Sequence, residues 1–180
     1  MFNNVYENKK VLVTGHTGFK GSWLCTWLLK LGSEVVGISK DIPTSPAMFD
    51  VLCLEKKIKH VKADIRAFDD IHALIELEKP DFVFHLAAQA IVSTSYSNPL
   101  DTVTSNILGT ANVLEALRIS NQKCTAIIIT SDKAYDNVEQ IWGYKENDAM
   151  GGKDVYSGSK GAAELVIKSY YHSFFSSDDS

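Results

Sequence analysis

KVLVTGHTGFKG, residues 10–21, joins an apolar, partly β-branched run to a loop with a glycine at every third position. The residues before Gly15 predict a short strand, and the apolar residues after Gly18 recur at helical spacing. Gly15 permits a tight turn, Gly18 lets the backbone approach phosphate, and Gly21 lets the helix pack close to the strand. Such a unit offers a helix N-terminus to a dinucleotide pyrophosphate. We therefore predict a cofactor site here, with an ordinary glycine-rich turn as the alternative.

The rest of the chain alternates strand and helix patterns, which predicts a parallel sheet covered by helices. We expect strands at residues 10–14, 34–38, 58–62, 81–86 and 123–130, helices at 19–31, 69–78, 101–119 and 157–175, and irregular segments at 41–50 and 131–155. Right-handed crossovers make this an α/β fold with a doubly wound parallel sheet, the Rossmann arrangement. We predict a dinucleotide-binding domain over residues 1–175, a polar tail over 176–180, and no substrate domain.

The composition argues against several classes of partner. The chain has 180 residues, 45% of them hydrophobic, so it can bury a core. Its net charge is −4 and its basic residues form no concentrated patch, so nucleic acid is not an expected partner. The polar N-terminus and the lack of a long apolar run predict a cytoplasmic protein without a membrane partner. The cysteines and histidines match no metal-ligand spacing, and no metal site is predicted.

The ends of the second and third strands hold candidates for binding the adenosine half of a cofactor. Ser39 stands where a ribose-binding carboxylate is expected, and Lys40 and Asp41 follow it. Asp41 favours NAD, whereas Lys40 is suited to a ribose phosphate and so to NADP; the balance favours NAD and leaves NADP open. Asp64, followed by Ile65, is a candidate for hydrogen bonding to adenine, with a turn aspartate as the alternative.

Small residues after the fourth strand would let a cofactor approach the backbone, although close packing explains them equally well. The remaining cofactor-binding candidates outside the glycines are Thr17, Phe19, Leu86, Ala87, Ala88, Gln89 and Thr130.

Tyr156 and Lys160 stand four residues apart, which places them on one face of the predicted helix. A cation beside a phenol favours the phenolate, and a phenolate can take a proton from a sugar hydroxyl. An incidental pair on an exposed helix is the alternative. Together with the dinucleotide loop, the pair predicts an alcohol-oxidising site in which both residues also contact the cofactor.

Three motifs carry a resemblance to a known family: GHTGFKG at 15–21, HLAAQ at 85–89, and Tyr156 with Lys160. They resemble the extended short-chain dehydrogenase/reductases that modify nucleotide sugars. SDKAYDN at 131–137 is similar to the CDP-glucose 4,6-dehydratase branch, because Asp132 is followed by a lysine where relatives acting on dTDP-glucose or GDP-mannose carry glutamate. The resemblance covers essentially all of this chain but only the N-terminal half of such an enzyme.

The resemblance implies NAD-dependent dehydration of CDP-glucose to CDP-4-keto-6-deoxyglucose. Tyr156 would deprotonate the glucose 4-hydroxyl as hydride leaves C4, and Lys160 would hold the nicotinamide ribose. Ser131 would hydrogen-bond the reacting oxygen, Asp132 would protonate the departing C6 oxygen, and Lys133 occupies the position of the base for C5. Relatives dimerise through two long helices, which correspond here to 101–119 and 157–175.

Several alternatives remain open at this point. An epimerase or ketoreductase needs Ser131, Tyr156 and Lys160 but no acid–base pair, and a non-catalytic dinucleotide-binding fragment needs only the loop. Lys133 is a neutral base, an electrostatic stabiliser of an enolate, or a surface lysine paired with Asp132 or Asp136. We expect little or no dehydratase activity from these residues alone. We also expect His85 to be a hydrogen-bonded strand-end residue, and we expect Trp23 and Trp27 to be core or helix-packing residues rather than a stacking platform.

Overall fold

The computed structural model describes residues 1–120 and 122–176, so the predicted tail 176–180 lies outside the described residues apart from Ser176. Its strands are β1 (Lys10–Thr14), β2 (Glu34–Ser39), β3 (Lys59–Lys62), β4 (Phe82–His85) and β5 (Thr125–Ile128). All neighbouring pairs are parallel, and the sheet has the order β3-β2-β1-β4-β5. The strand order reverses direction at β1, so the carboxyl ends of β1 and β4 form the crevice where such sheets bind ligands.

Helices follow the strands in the way that the alternating pattern predicts. They are α1 (Phe19–Lys30), α2 (Met48–Val51), α3 (Phe68–Glu78), α4 (Val92–Ser97), α5 (Pro99–Val103), α6 (Gly109–Ser120) and α7 (Val155–Tyr170). Short 3-10 turns lie at Phe2–Asn4, Leu54–Lys56 and Asp132–Ala134, and π-helical turns at Thr104–Leu108 and Tyr171–Phe175. In the described part of the chain, no helix has both the length and the apolar character needed to cross a bilayer.

Apolar side chains fill both faces of the sheet, which confirms the doubly wound Rossmann arrangement. Successive residues of a strand point to opposite faces. Leu12 of β1 therefore packs with α3 and α6, whereas Val11 and Val13 pack with α1 and α2. The first cluster includes Leu12, Val36, Val83, Ile71, Ile75, Val113 and Leu117, and the second includes Val11, Val13, Val35, Cys25, Leu28, Phe49 and Leu54.

The predicted long helix over 101–119 is interrupted. It begins earlier, at Pro99, and a π-helical turn at Thr104–Leu108 separates α5 from α6. The turn buries Ser105 and Asn106, polar residues that a regular amphipathic pattern does not place inside. Extra residues of this kind inside helices are frequent at functional sites, because they change the direction of a side chain.

α1 buries a different face from the one that its large apolar residues predicted. Trp23 is 56% exposed and Trp27 is 48% exposed, so a position in the core is wrong for both; Trp27 packs instead on Phe2, with ring centroids 5.5 Å apart. A Cβ atom on Gly21 would lie 2.2 Å from the Gly15 carbonyl oxygen, so the contact between helix and loop tolerates only small residues. The buried residues of α1 are Gly21, Ser22, Cys25 and Leu28.

We expect Gly21→Ala to lower the free energy of unfolding by about 1–3 kcal/mol, because an added methyl group overpacks this contact. Gly158→Ala is the matched control: Gly158 also lies in a helix, but the methyl group that alanine would add has no atom within 4 Å. There, alanine should stabilise the helix by up to about 1 kcal/mol. Urea unfolding followed by circular dichroism measures both variants. Unchanged stability of Gly21→Ala would contradict the close contact.

Candidate cofactor and active site

The glycine loop brings backbone, rather than side chains, to the carboxyl end of β1. Gly15 has a φ of 73°, and a Cβ atom there would lie 2.8 Å from the Ala87 Cα atom. Gly18 is the N-cap of α1 and has no side chain that could accept a hydrogen bond. The backbone N–H groups of the first turn therefore have no side-chain cap. Phe19, the first residue of α1, is 71% exposed. The loop therefore has the open, donor-rich geometry that binds phosphate.

The Thr14 hydroxyl ties this loop to the segment after β4. Its Oγ1 accepts backbone N–H groups of Leu86 at 3.1 Å and Ala87 at 3.0 Å. Because a hydroxyl has two lone pairs and one proton, that proton is donated to His85 Nδ1 at 2.8 Å. His85 thus carries its own proton on Nε2 and donates it to Thr110 Oγ1 at 3.1 Å. His85 is the hydrogen-bonded strand-end histidine that the sequence predicted.

Burial keeps His85 neutral. The side chain is only 2% exposed, and burial lowers its pKa to about 3, with the nearby positive charge of Lys160 as a smaller cause. The hydrogen bonds continue from His85, because Thr110 Oγ1 donates to the Asn106 carbonyl at 2.8 Å.

Asn106, in the π-helical turn, connects the segment after β4 to α7. Its Nδ2 donates to the Gln89 carbonyl at 3.1 Å and to Ser159 Oγ at 2.8 Å, and its Oδ1 accepts the Gln89 N–H at 2.8 Å. Ser159 Oγ in turn donates to the Tyr156 carbonyl at 2.6 Å. Sequence reasoning missed this connection; the only signal was a polar residue inside an amphipathic helix.

The end of β2 is organised by His16, a residue that the sequence did not single out. Its Nδ1 lies 3.2 Å from Ser39 Oγ and its Nε2 lies 2.7 Å from His60 Nδ1. Its ring occupies space left by Gly37, where a Cβ atom would lie 2.3 Å from the imidazole. Burial lowers the pKa of His16 to about 4. The pair has no third ligand, since residues 1–120 and 122–176 contain no group of three His, Cys, Asp or Glu side chains suited to a metal.

The Ser39 hydroxyl therefore faces His16, while Lys40 and Asp41 are exposed directly after it. Thr17 Oγ1 donates to the Asp41 carbonyl at 2.7 Å, which joins the glycine loop to the segment after β2. Of the predicted ribose-binding residues, Lys40 and Asp41 are thus the ones with side chains open to a ligand.

Asp64 is held by a neighbour that the sequence did not identify. Arg66 donates to it from the backbone N at 2.9 Å and from Nη2 at 2.5 Å, and its Nη1 also reaches Asp101 at 2.7 Å. These contacts lower the pKa of Asp64. Ile65 is buried, and Gly109 makes room for it, since a Cβ atom there would lie 2.4 Å from Ile65 Cδ1. A contact of Asp64 with adenine stays a prediction.

The turn after β5 presents the candidate acid and base. Ser131 Oγ donates to Asp132 Oδ1 at 3.1 Å and accepts the Lys133 N–H at 3.2 Å. Asp132 and Lys133 are both exposed. Among the described residues, Lys133 is exposed but forms no ion pair with Asp132 or Asp136, so the structure does not contain the salt bridge of the alternative interpretation, and the role of Lys133 stays a prediction.

Tyr156 and Lys160 lie on α7, which packs against this turn. Asp154 caps the helix by accepting the Ser157 N–H at 2.9 Å and the Ser157 hydroxyl at 2.7 Å. Gly161 lets α7 approach the Ala134 carbonyl, which would lie 3.1 Å from a Cβ atom there.

Both side chains are buried along their length: Tyr156 is 8% exposed and Lys160 is 7% exposed. Neither the Tyr156 hydroxyl nor the Lys160 ammonium has a hydrogen-bond or ion-pair partner in the part of the chain that the structure describes. Within the same residues every fully buried side-chain nitrogen or oxygen atom has a partner, so these two polar tips reach the surface. Burial lowers the pKa of Lys160. A nearly buried cation without a partner is suited to a polar ligand.

We expect the free energy of unfolding to fall as the pH is lowered from about 6.5 to about 5, because His16 and His85 stay neutral in the folded chain while the unfolded chain takes up their protons. The folded-state pKa values, about 4 and about 3, lie below the ordinary value of 6.5, so this stability is present above 6.5 and is lost below it. The slope is at most about 1.4 kcal/mol per pH unit for each histidine. Urea unfolding at several pH values measures it.

The slope should be smaller in His16→Asn, which removes one of the two buried imidazoles. His172→Asn, which replaces an exposed side chain, is the control and should keep the slope of the unaltered chain. A flat profile over this pH range would contradict the burial of two neutral imidazoles.

Solved structures of other proteins resemble this fold, and two of them contain NAD, one together with a nucleotide sugar. UDP-glucose 4-epimerase of Thermus thermophilus, solved with NAD, is 28% identical with a TM-score of 0.80, over 92% of this chain and 52% of that one. UDP-glucuronic acid 4-epimerase of Bacillus cereus, solved with UDP-glucuronic acid and NAD, is 31% identical with a TM-score of 0.78, over 92% of this chain and 53% of that one.

Curated relatives are also named as enzymes of nucleotide sugars. CDP-glucose 4,6-dehydratase of Salmonella typhimurium is 46% identical over 96% of this chain and 48% of its own length, and CDP-paratose 2-epimerase of Salmonella typhi is 31% identical over 92% and 54%. The chain thus spans about half the length of the curated relatives it matches. The family model described as GDP-mannose 4,6 dehydratase matches residues 12–176. The chain therefore belongs to the GDP-mannose 4,6 dehydratase family.

Proposed function

We propose that residues 1–175 are the dinucleotide-binding part of an NAD-dependent 4,6-dehydratase that converts CDP-glucose to CDP-4-keto-6-deoxyglucose. The observation that carries the proposal is the position of Lys160. Its ammonium is almost buried, has no partner among the described residues, and lies near His85, which is hydrogen-bonded to the residue before the glycine loop. The 46% identity to a CDP-glucose 4,6-dehydratase supports the choice of substrate.

The residues fit a dinucleotide. The start of α1 offers backbone donors without a side-chain cap, and Gly18, where a Cβ atom would meet the Gly15 carbonyl oxygen at 3.4 Å, leaves space for a pyrophosphate. Asp41 favours the unmodified ribose of NAD, and the NAD in the solved neighbours supports the same choice. When bound, NAD supplies the acceptor for hydride from C4 and returns hydride to C6.

The chain's own residues then have separate tasks. Tyr156 takes the proton of the 4-hydroxyl, and the positive charge of Lys160 stabilises the phenolate that is needed for this step. Ser131 donates a hydrogen bond to the oxygen at C4. The resulting ketone makes the C5 proton acidic.

Elimination across C5 and C6 needs an acid and a base. Asp132 protonates the departing C6 oxygen, and Lys133 either removes the C5 proton as a neutral amine or stabilises the enolate by its charge. Both side chains are exposed and neither forms an ion pair within residues 1–120 and 122–176, which leaves them available to a substrate.

A 4-epimerase or ketoreductase is the second candidate, supported by the epimerases among the relatives and solved neighbours. Such an enzyme uses Ser131, Tyr156 and Lys160 alone. The residue that separates the two candidates is therefore Asp132.

We also propose a homodimer through the helical segments 101–119 and 157–175. Val113 and Leu117 face the core, but Leu108, Leu165 and Phe174 are 47%, 56% and 55% exposed. The two segments thus have apolar side chains available for a second copy. Sedimentation velocity over a range of concentrations tests this, and a monomer throughout would contradict it.

We expect the chain to bind NAD more tightly than NADP, and Lys160→Met to weaken NAD binding. The reason is loss of the only positive charge buried beside the proposed nicotinamide ribose within the described residues. Lys168→Met is the control, since Lys168 is exposed two turns further along α7. Isothermal titration calorimetry measures the four affinities: NAD and NADP for the unaltered chain, and NAD for each of the two variants. No NAD binding by the unaltered chain, or equal weakening by both variants, would contradict the proposal.

For a dehydratase, we expect Asp132→Asn to abolish elimination while hydride transfer from CDP-glucose continues. The amide has no acidic proton to give to the departing oxygen but leaves Tyr156 and Lys160 intact. Persistent NADH, read by fluorescence, measures hydride transfer, and the 4-keto-6-deoxysugar, identified by the mass lost as water, measures elimination.

The 180-residue chain should give little or no ketosugar by itself, since it spans about half the length of its relatives. The Asp132 comparison is therefore made with saturating NAD and long incubation. Unchanged elimination in Asp132→Asn would favour a different acid, and robust turnover by the chain would contradict the expected incompleteness.

A further inference from the structure

Glu164 lies one helical turn after Lys160, just as Lys160 lies one turn after Tyr156. Side chains four residues apart share a helix face, so the three are aligned along α7. Glu164 is half-buried, and its Oε1 accepts a hydrogen bond from Thr130 Oγ1 at 2.5 Å. Thr130 directly precedes Ser131. A single carboxylate thus joins the end of β5, where the candidate serine stands, to the helix that carries the candidate tyrosine and lysine.

The charges around Lys160 give this carboxylate a role. Burial disfavours the ammonium and lowers the pKa of Lys160, and the carboxylate of Glu164 acts in the opposite direction. His85, which faces Lys160 from β4, cannot act as a counter-ion, because it is neutral and donates its proton to Thr110.

Other titratable groups on the elements packed against α7 have different surroundings. Asp101 is paired with Arg66, Glu115 is paired with Arg118, and Asp132 accepts the Ser131 hydroxyl. The remaining titratable groups on these elements and at the start of α7 are Tyr96, Lys133 and Asp154, and the π-helical turn after α7 adds Tyr171 and His172. Among the described residues, Glu164 is the charged group that acts on the pKa of Lys160.

We propose that Glu164, held in place by Thr130, is a positioning residue that keeps Lys160 charged and directed toward the cofactor ribose. The inference rests on the proposed function for the identity of that ribose, but the effect of the Glu164 carboxylate on the charge of Lys160 does not. The hydrogen bond to Thr130 also links α7 to the residue before Ser131.

The direct test is the titration of Lys160 in the chain without cofactor, followed by NMR of lysine side chains labelled with ¹³C at Cε. The Lys160→Arg variant identifies the signal by its disappearance. In Glu164→Gln, the pKa of Lys160 should move further below its ordinary value, because the substitution removes the one carboxylate among the described residues that favours the ammonium. Thr130→Val should cause a smaller shift in the same direction, since the carboxylate remains but is no longer held.

Glu146→Gln is the matched control, because it removes the same charge from an exposed position in the segment between β5 and α7. Its Lys160 signal should titrate as in the unaltered chain. If Glu164→Gln fails to fold, Thr130→Val still decides the matter. A Lys160 titration that neither variant alters, or that Glu146→Gln alters equally, would overturn the proposal.

A second measurement relates the effect of Glu164 on Lys160 to the binding of NAD. NAD affinity, measured by calorimetry from pH 7 upward, should decrease as Lys160 loses its proton, and the decrease should begin at lower pH in Glu164→Gln. If the unaltered chain binds no NAD, the proposed function fails while the NMR titration still tests the role of Glu164. If NAD binds and the Lys160 titration shifts, but the unaltered chain and Glu164→Gln have the same NAD affinity at every pH, the charge of Lys160 does not act on the cofactor. That result would overturn the part of the proposal that concerns the ribose.

Discussion

The buried hydroxyl of Thr14 is the point on which the arrangement of the site depends. It accepts two backbone N–H groups from the segment after β4 and donates to His85, at the point where the strand order reverses. From there, hydrogen bonds continue through Thr110 and Asn106 to α7. Buried polar groups are costly unless every partner is present, so such a series favours one relative position of its members. The glycine loop and the Tyr156 helix are connected through the core rather than across the surface.

The same hydrogen bonds explain how a lysine can be buried beside a histidine. Two cations in a low-dielectric interior would repel each other strongly. Thr14 donates to His85 Nδ1, which leaves the imidazole neutral, and burial keeps it so. Among the described residues Lys160 has no ion-pair partner, and the carboxylate of Glu164, one helical turn further along α7, favours its charge while the ammonium reaches the surface.

Particular residues show how far sequence reasoning reached into the site. The glycine spacing and the Tyr156–Lys160 spacing are local patterns, and both occur in the predicted elements. Ser39 was identified by its position at the end of the second strand, yet its hydroxyl faces His16. The His16 ring also contacts His60, which lies 44 residues further along the chain. Asp64 was identified in the same way, but its carboxylate accepts a hydrogen bond from Arg66, which also donates to Asp101. Trp23 and Trp27, one turn apart, were predicted to be core or helix-packing residues, but they are largely exposed, since only small residues fit where α1 meets the loop.

The amino-acid sequence by itself determined the alternation of strands and helices, the turn at Gly15, and the presence of a phenol and an ammonium on one helix face. These follow from backbone sterics and from the periodicity of apolar residues, which act over a few positions. Only the tertiary structure decided which face of α1 is buried, that a π-helical turn brings Asn106 inside, and that Thr130 and Glu164 meet. Those outcomes depend on contacts between residues far apart in the chain. The space available to each side chain, and its hydrogen-bond partners, are defined only after the sheet has assembled.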